Sequence, residues 1–457
     1  MRSTRSKLLA ALGILAVAFG VWRLVVAKDG HDAIARMRAR GLPTNPAELD
    51  VWYQTVPASE NLANAIIDAS AGYRAPHDAT NTPYTGRLAK PAPPFPVDPR
   101  LLAVWRQSLS NSTETFAALE SGRGRTASRY PLNLRMGSQT LLPHLSSIKG
   151  LAQFLALAAI THAESGQSHE AARDVRDILL VARSLESEPL LISQLVRIAI
   201  LNLATGAAGT SLPRAALDDA EWATLQAEFA RAAATNGYYN GMVGETAMAA
   251  GLFGASPAEL SGIMLAGGPG GGGSPVSAKL GATLYVASGL RAIDAQFCLD
   301  RLGEMLEAAR RPFPEALALS DATEARVRKE NGRFARGFKI LSGMMLPALG
   351  RSSRKDASGV AVLRSAVVGC AIERHRLAHA GRIPDALAEL VPTHLAEVPA
   401  DPFDGKPLRY RHTNDTYTVY SLGEDGVDDG GEPQVTANGG KRRATADIGF
   451  RVTDRRR

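Results

Sequence analysis

The stretch Ala371-Ile-Glu-Arg-His-Arg-Leu-Ala-His-Ala-Gly-Arg-Ile-Pro384 reads as the end of a helix, and the residues after it read differently from everything before. Upstream, Val360, Leu363, Val367, Cys370 and Leu377 recur mostly every three or four residues, which is one buried helix face. Gly381 supplies a C-cap and Pro384 prevents continuation. Ala386, Leu387, Leu390 and Val391 suggest a short helix, and Asp401-Pro-Phe-Asp-Gly405 is a tight turn. Leu408–Arg411, Tyr417–Leu422 and Ile448–Val452 are the strand candidates, with Tyr420-Ser-Leu-Gly-Glu-Asp-Gly-Val-Asp-Asp-Gly-Gly431 forming an acidic glycine bend. The expected end of the chain is therefore a small α+β module over residues 359–457 with a few short antiparallel strands.

Working back from this module, the chain is helical. In residues 139–206, Leu145, Ile148, Leu151, Phe154 and Leu155 follow helical spacing up to about Gly166. A second helix starts about Ser168 and carries Ala171, Val175, Ile178, Leu179 and Ala182; a third runs from Leu190 through Leu195, Ile198 and Leu201. Short turns between such helices predict antiparallel packing. Further helices are expected at about 214–233, 237–253, 284–311 and 333–349, with two shorter ones from Pro99 to about Ser121. Ser59 is the expected cap of a helix carrying Leu62, Ala65 and Ile66, and residues 73–98 read as a long exposed loop. The run from Ala266 to Ser274 has no preceding strand and no following Lys-Ser or Lys-Thr, so it fails as a phosphate loop and reads as a flexible linker. Gly350–Ser358 reads as a basic, small-residue boundary. Together these readings give a mainly α chain: an N-terminal segment (1–28), a multi-helix body (29–350) and the module.

The N-terminal segment has its own chemistry. Arg2, Arg5 and Lys7 precede an apolar run from Leu8 to Ala27, broken only by Arg23. That length suffices to cross a bilayer, with Trp22 suited to the interface and Arg23 able to snorkel. A cleaved signal peptide, with Ala16-Val17-Ala18 as the small-residue site, is the rival reading. No other apolar run of about twenty residues stands out, so a single transmembrane helix is expected. Its orientation, body outside, is chosen mainly from the C-terminal module, because Lys28, Arg36, Arg38 and Arg40 balance the positive residues at the start.

At 457 residues, 45% hydrophobic and 21% charged, the chain has an ordinary globular composition. Aromatics at 6% favour helices over a large β structure. The net charge of +7 comes from scattered arginines, so no nucleic-acid partner is expected; polyanion binding would need those arginines to converge on one face. The two cysteines, Cys298 and Cys370, stand in apolar helical patterns and could pair only in an oxidising compartment. Without a CxxC they give no thiolate metal or redox site.

The order of motifs in the last part of the chain resembles the C-terminal half of type II secretion major pseudopilins. The matching pieces are Ala380-Gly-Arg-Ile-Pro384, Leu390-Val391, Asp401-Pro-Phe-Asp-Gly-Lys-Pro-Leu408, Tyr420-Ser-Leu-Gly-Glu-Asp-Gly426 and Ala446-Asp-Ile448. The resemblance implies a calcium-binding acidic loop, with Asp425 and Asp447 as side-chain ligands beside the carbonyl of Leu422. Asp428 and Asp429 join them on charge, because calcium takes several hard oxygens at once. Two departures stand out. The family's N-terminal processing motif is absent, and Glu432–Thr445 inserts Lys441-Arg442-Arg443 into the loop. The stretch about 157–182 weakly resembles one tetratricopeptide hairpin, without a repeat.

No catalytic motif emerges. His375 and His379 have the i, i+4 spacing of a helical metal pair, but Arg376 stands where a zinc protease needs its glutamate, and a helix-edge surface is the expected setting. Carboxylates such as Glu60 and Glu245 cannot be paired from sequence. The expectation is a non-catalytic protein of the bacterial inner membrane, body outside the cytoplasm, with an envelope protein as partner. An envelope hydrolase acting on cell-wall or carbohydrate material is the alternative.

Overall fold

The computed structural model describes residues 2–76, 82–84, 95–267, 274–330, 339–413, 416–431 and 447–453. The helices are α1 (Arg2–Ala39), α2 (Pro46–Trp52), α3 (Leu62–Gly72), α4 (Pro99–Ser110), α5 (Thr113–Gly122), α6 (His144–Glu164), α7 (Ser168–Arg183), α8 (Leu191–Ser211), α9 (Asp219–Ala234), α10 (Gly237–Gly254), α11 (Pro257–Gly267), α12 (Pro275–Ala287), α13 (Leu290–Ala309), α14 (Glu315–Glu330), α15 (Ile340–Gly350) and α16 (Ser352–Ala378). Strands β1 (Arg409–His412), β2 (Tyr417–Ser421) and β3 (Ile448–Val452) form one antiparallel sheet in the order β1-β2-β3. The mainly helical class and the small C-terminal sheet are as expected.

Local chemistry sets most helix starts. Asp98 caps α4 ahead of Pro99, Asp218 and Glu221 form a capping box on α9, and Asn236 caps α10. The cap of α3 is Asn61 rather than Ser59: its Oδ1 accepts from Ala63 N at 3.1 Å and also from Arg129 N at 2.9 Å. That second bond joins residues 68 apart, and no local pattern could announce it. The expected single helix over 284–311 is two helices. Ser288-Gly289 breaks it, with Gly289 at φ +87°, a conformation open to glycine. The boundary expected at Gly350–Ser358 is instead the end of α15 and the first turns of α16.

Two large apolar clusters, with two smaller ones under α4, form the core among the described residues. One of the large clusters joins α3, α5–α9 and α16 to the sheet, so Tyr417, Val419, Phe450 and Val452 share a core with Ala207 and Ala208 of α8. The other joins the second half of α1 to α2, α10 and α12–α15. Cys370 lies in the first and Cys298 in the second, both buried as free thiols.

Helix α1 changes character along its length. Ile14, Leu15, Val17, Phe19, Val21, Leu24 and Val25 are exposed, Ile14 to 70%. From Gly30 onward the helix packs on α13: Gly30 lies against Ala292, and Arg36 pairs with Asp300 at 2.8 Å. Arg23 does not need to snorkel, because its Nη1 donates to Val286 O at 2.8 Å and to Ala287 O at the end of α12. Among the described residues the helix long and apolar enough to cross a membrane is Leu191–Arg214, a run the sequence reading did not single out, while the described apolar part of α1, Gly13–Val25, is shorter. In Leu191–Arg214, 61% of the apolar window is buried inside the protein, as suits a core helix. The side chains of α1 before Gly13, most of the Gly-rich run (268–273), much of the expected loop over 73–98, and the insertion with Lys441–Arg443 lie outside the described residues.

Candidate functional site

The acidic bend is built on the turn Asp401–Gly405. Asp401 is completely buried and organises its surroundings. Its Oδ1 accepts from Phe403 N at 2.9 Å and Ser421 Oγ at 2.8 Å; its Oδ2 accepts from Leu422 N at 3.0 Å and Arg409 Nη1 at 2.6 Å. Asp404 holds the other side of the Arg409 guanidinium. A buried carboxylate with this many donors has its charge satisfied in place. The result ties the turn to the start of β1 and to the end of β2, where the bend begins.

Beyond β2 the backbone turns sharply, with Gly426 at φ +66° and Gly430 at φ +72°. Asp425 Oδ1 accepts from Val427 N at 3.1 Å, an exposed local turn. Asp428 Oδ1 accepts from Gly430 N at 2.9 Å and from the Tyr420 hydroxyl at 3.0 Å. Asp447, at the foot of β3, accepts from Gly431 N through Oδ2 at 2.7 Å, while its Oδ1 is buried without a partner among the described residues. Burial pushes the Asp447 carboxyl up, and the neighbouring charges of Asp428 and Asp429 push it further. The Tyr420 phenol is pushed up to about 12 by burial and by Asp428.

Asp428 and Asp429 thus come near enough to Asp447 to act on its charge, although the insertion separates them in sequence. Asp425 accepts within its own turn, and Leu422 donates its N–H to Asp401, a bond that does not use the Leu422 carbonyl expected as a ligand. The carbonyls of Gly430 and Gly431 accept from Arg411 and Arg451, so they are already in use. Among the described residues no group of three or more His, Cys, Asp and Glu side chains is arranged to hold a metal ion. The fit to calcium is therefore partial. Asp447 Oδ1 and two nearby carboxylates suit a hard cation, but a full oxygen shell is not assembled.

His379 keeps the expected exposed helix edge, and His375 departs from it. His375 is only 3% exposed and stacks on His379 with ring centroids 3.9 Å apart, nearly parallel. Stacked faces do not aim two ring nitrogens at one ion. Burial holds the His375 and His394 imidazoles below their usual pKa.

Buried Glu188 and half-buried Asp356 have no counterpart among the sequence motifs. Glu188, fully buried, takes the Ser193 hydroxyl at 2.5 Å and His144 Nε2 at 3.1 Å. The serine donates to the carboxylate instead of the imidazole and is itself buried, so this is a structural knot rather than an activated nucleophile. Asp356 lines a cavity of about 230 Å³ with Thr235, Asn236, Arg311, Ser320 and Arg364. Burial pushes its carboxyl up to about 7, and Arg197 offsets only part of this. No family model matches this chain, and neither does any curated protein or solved structure.

Proposed function

We propose that this chain is a membrane-anchored, non-catalytic protein of a bacterial cell envelope, with a helical body that serves as an interaction scaffold and a C-terminal module that closes it. The observation that carries the reading is the asymmetry of α1: residues 14–25 leave large apolar side chains in the open, while the same helix from Gly30 onward is packed on α13. In water such a stretch is costly, roughly 25 cal/mol per Å² of apolar surface, and a bilayer removes that cost. The pseudopilin resemblance supports a body outside the cytoplasm and a partner in a secretion or pilus-like assembly, by analogy only. Alkaline extraction of membranes followed by protease protection of the full chain tests it. The expected result is an extraction-resistant protein whose C-terminus is degraded only from the extracytoplasmic side; a soluble or cytosol-facing body ends the proposal.

The bend is proposed to hold one calcium ion through Asp428, Asp429 and Asp447, which would relieve the mutual repulsion of these carboxylates. Bound calcium would supply charge neutralisation between the bend and β3. The unfolding temperature of the full chain in mild detergent should rise with calcium. That rise should vanish in Asp447→Asn and be largely kept in Asp425→Ala. An unchanged wild-type transition removes the metal.

A further inference from the structure

A cavity of about 1150 Å³ lies where α1 leaves the body, between α1, α2, α10, α11 and α13. It exceeds the usual small-molecule range of about 300–1,000 Å³. Its wall crosses the junction on α1: Arg23 belongs to the exposed half, Gly30 and Ile34 to the packed half. Its lining combines apolar side chains, Ile34, Met248 and Phe253 among them, with the arginines Arg23, Arg38, Arg135 and Arg291 and one carboxylate, Glu259. Two of these arginines are anchored by carbonyl oxygens instead of carboxylates. Arg23 holds Val286 O and Ala287 O, and Arg291 holds Ala255 O at 3.1 Å. Their charges are therefore not cancelled by those contacts, whereas Arg135 is paired with Asp50 at 3.0 Å. Beside the cavity, α12 turns Val276, Leu280 and Leu284 outward, 77%, 60% and 58% exposed, one stripe at every fourth residue. The clasp from Arg23 sets the end of this helix against the exposed half of α1.

We infer that this cavity binds an anionic phospholipid from the surrounding bilayer, its phosphate against Arg23 and Arg291 and an acyl chain against Ile34, Met248 and Phe253. The inference rests on the anchoring reading, since a bilayer is what brings the lipid to that level of α1. A guanidinium has five N–H donors in a fixed fork, suited to phosphate oxygens. The outward stripe of α12 lies on the same lipid surface and keeps the mouth of the cavity at the headgroup level.

The test uses the full chain in a neutral detergent with added dioleoylphosphatidylglycerol, read by unfolding temperature. A rise of about 3–5 °C is expected for a ligand well above its Kd. Arg291→Gln, which keeps a donor for Ala255 O but removes the charge, should lose most of that rise. Met248→Trp, which fills the apolar end, should lose it while keeping a cooperative transition. An equal rise with dioleoylphosphatidylcholine overturns the recognition of anionic charge. The same rise from inorganic phosphate alone overturns the lipid in favour of a free anion. A rise unchanged in both variants means lipid bound elsewhere along α1 and overturns the site, as does no rise at all. Extraction of the chain from membranes is scored separately. A lipid-dependent rise in a protein that alkali strips from membranes would sink the anchor and leave the cavity standing.

Discussion

Asp356 is a carboxylate whose acidity the fold changes strongly. Its carboxyl has an ordinary pKa of 3.8 and is pushed up to about 7 in the folded protein, chiefly by burial. Ionisation is thus harder in the folded state than in the unfolded one. The folded protein loses stability as pH rises from about 4 towards 7, and the whole loss is present above that range. A tenfold change in an ionisation constant is worth about 1.4 kcal/mol, so the effect is on the order of a few kcal/mol. Asp356→Asn should remove this slope. Urea midpoints of variant and wild type should nearly coincide at pH 4.5, with the variant higher at pH 8. Parallel curves across that range would show that the carboxyl is well solvated. None of this is legible in Ser352-Ser-Arg-Lys-Asp-Ala-Ser358, which reads as a polar boundary. The burial comes from α9, α10, α13 and α14 closing over the first turns of α16. The acidic bend was legible in part. Its aspartates and glycines are evident in the sequence, but that Asp447 comes within reach of Asp428 while Asp425 stays in a local turn depends on where β3 returns to the sheet.

At the scale of elements, the module is seated by small residues on helices. A Cβ added at Gly209 of α8 would lie 2.5 Å from the carbonyl oxygen of Arg451 in β3, and one at Gly369 of α16 would meet the ring of Phe450. Strand β3 therefore rests on helix backbone, and Tyr417 of the neighbouring β2 fixes the sheet further by donating to Gly369 O at 3.1 Å and to Glu373 Oε1 at 2.9 Å. Gly206, on the same helix, has open space around the equivalent position. Helix propensity alone favours alanine over glycine by about 1 kcal/mol at either site. At Gly209 the clash is with backbone and cannot be relieved by a rotamer, which typically costs about 1–3 kcal/mol. Gly206→Ala should therefore stabilise the protein and Gly209→Ala destabilise it, measured as opposite shifts of the denaturation midpoint. Shifts of the same sign would mean that β3 is not held against α8. Helices and strands themselves were largely readable, because apolar spacing is local: β3 begins and ends where its alternation does. The break between α12 and α13 was not, since apolar positions continue on both sides of Gly289 and mask the change of direction.

At the scale of the molecule, the sequence suggests a body and a separate module, while the packing gives one continuous core across them. Helix α16 carries the join. Along its length Leu363, Ala366, Val367, Cys370 and Ala371 belong to the same cluster as Trp222, Leu225 and Phe229 of α9 and as Val419 and Phe450 of the sheet. Arg374 adds a pair with Asp219 at 2.8 Å, and Gln226 Nε2 donates to His394 O at 2.8 Å. A fragment of residues 351–457 would expose the face of α16 that α8 and α9 cover. Its remaining partner, a three-stranded sheet of short strands, is too small to bury that face. Such a fragment should have helical circular dichroism without dispersed amide NMR resonances. Full-length protein cut back before β3 should likewise lose its cooperative transition rather than shed a domain. A fragment that folds with dispersed resonances would show that the shared core is a contact between two independent units. The contacts of α16 with α9 would then stabilise an interface rather than the fold.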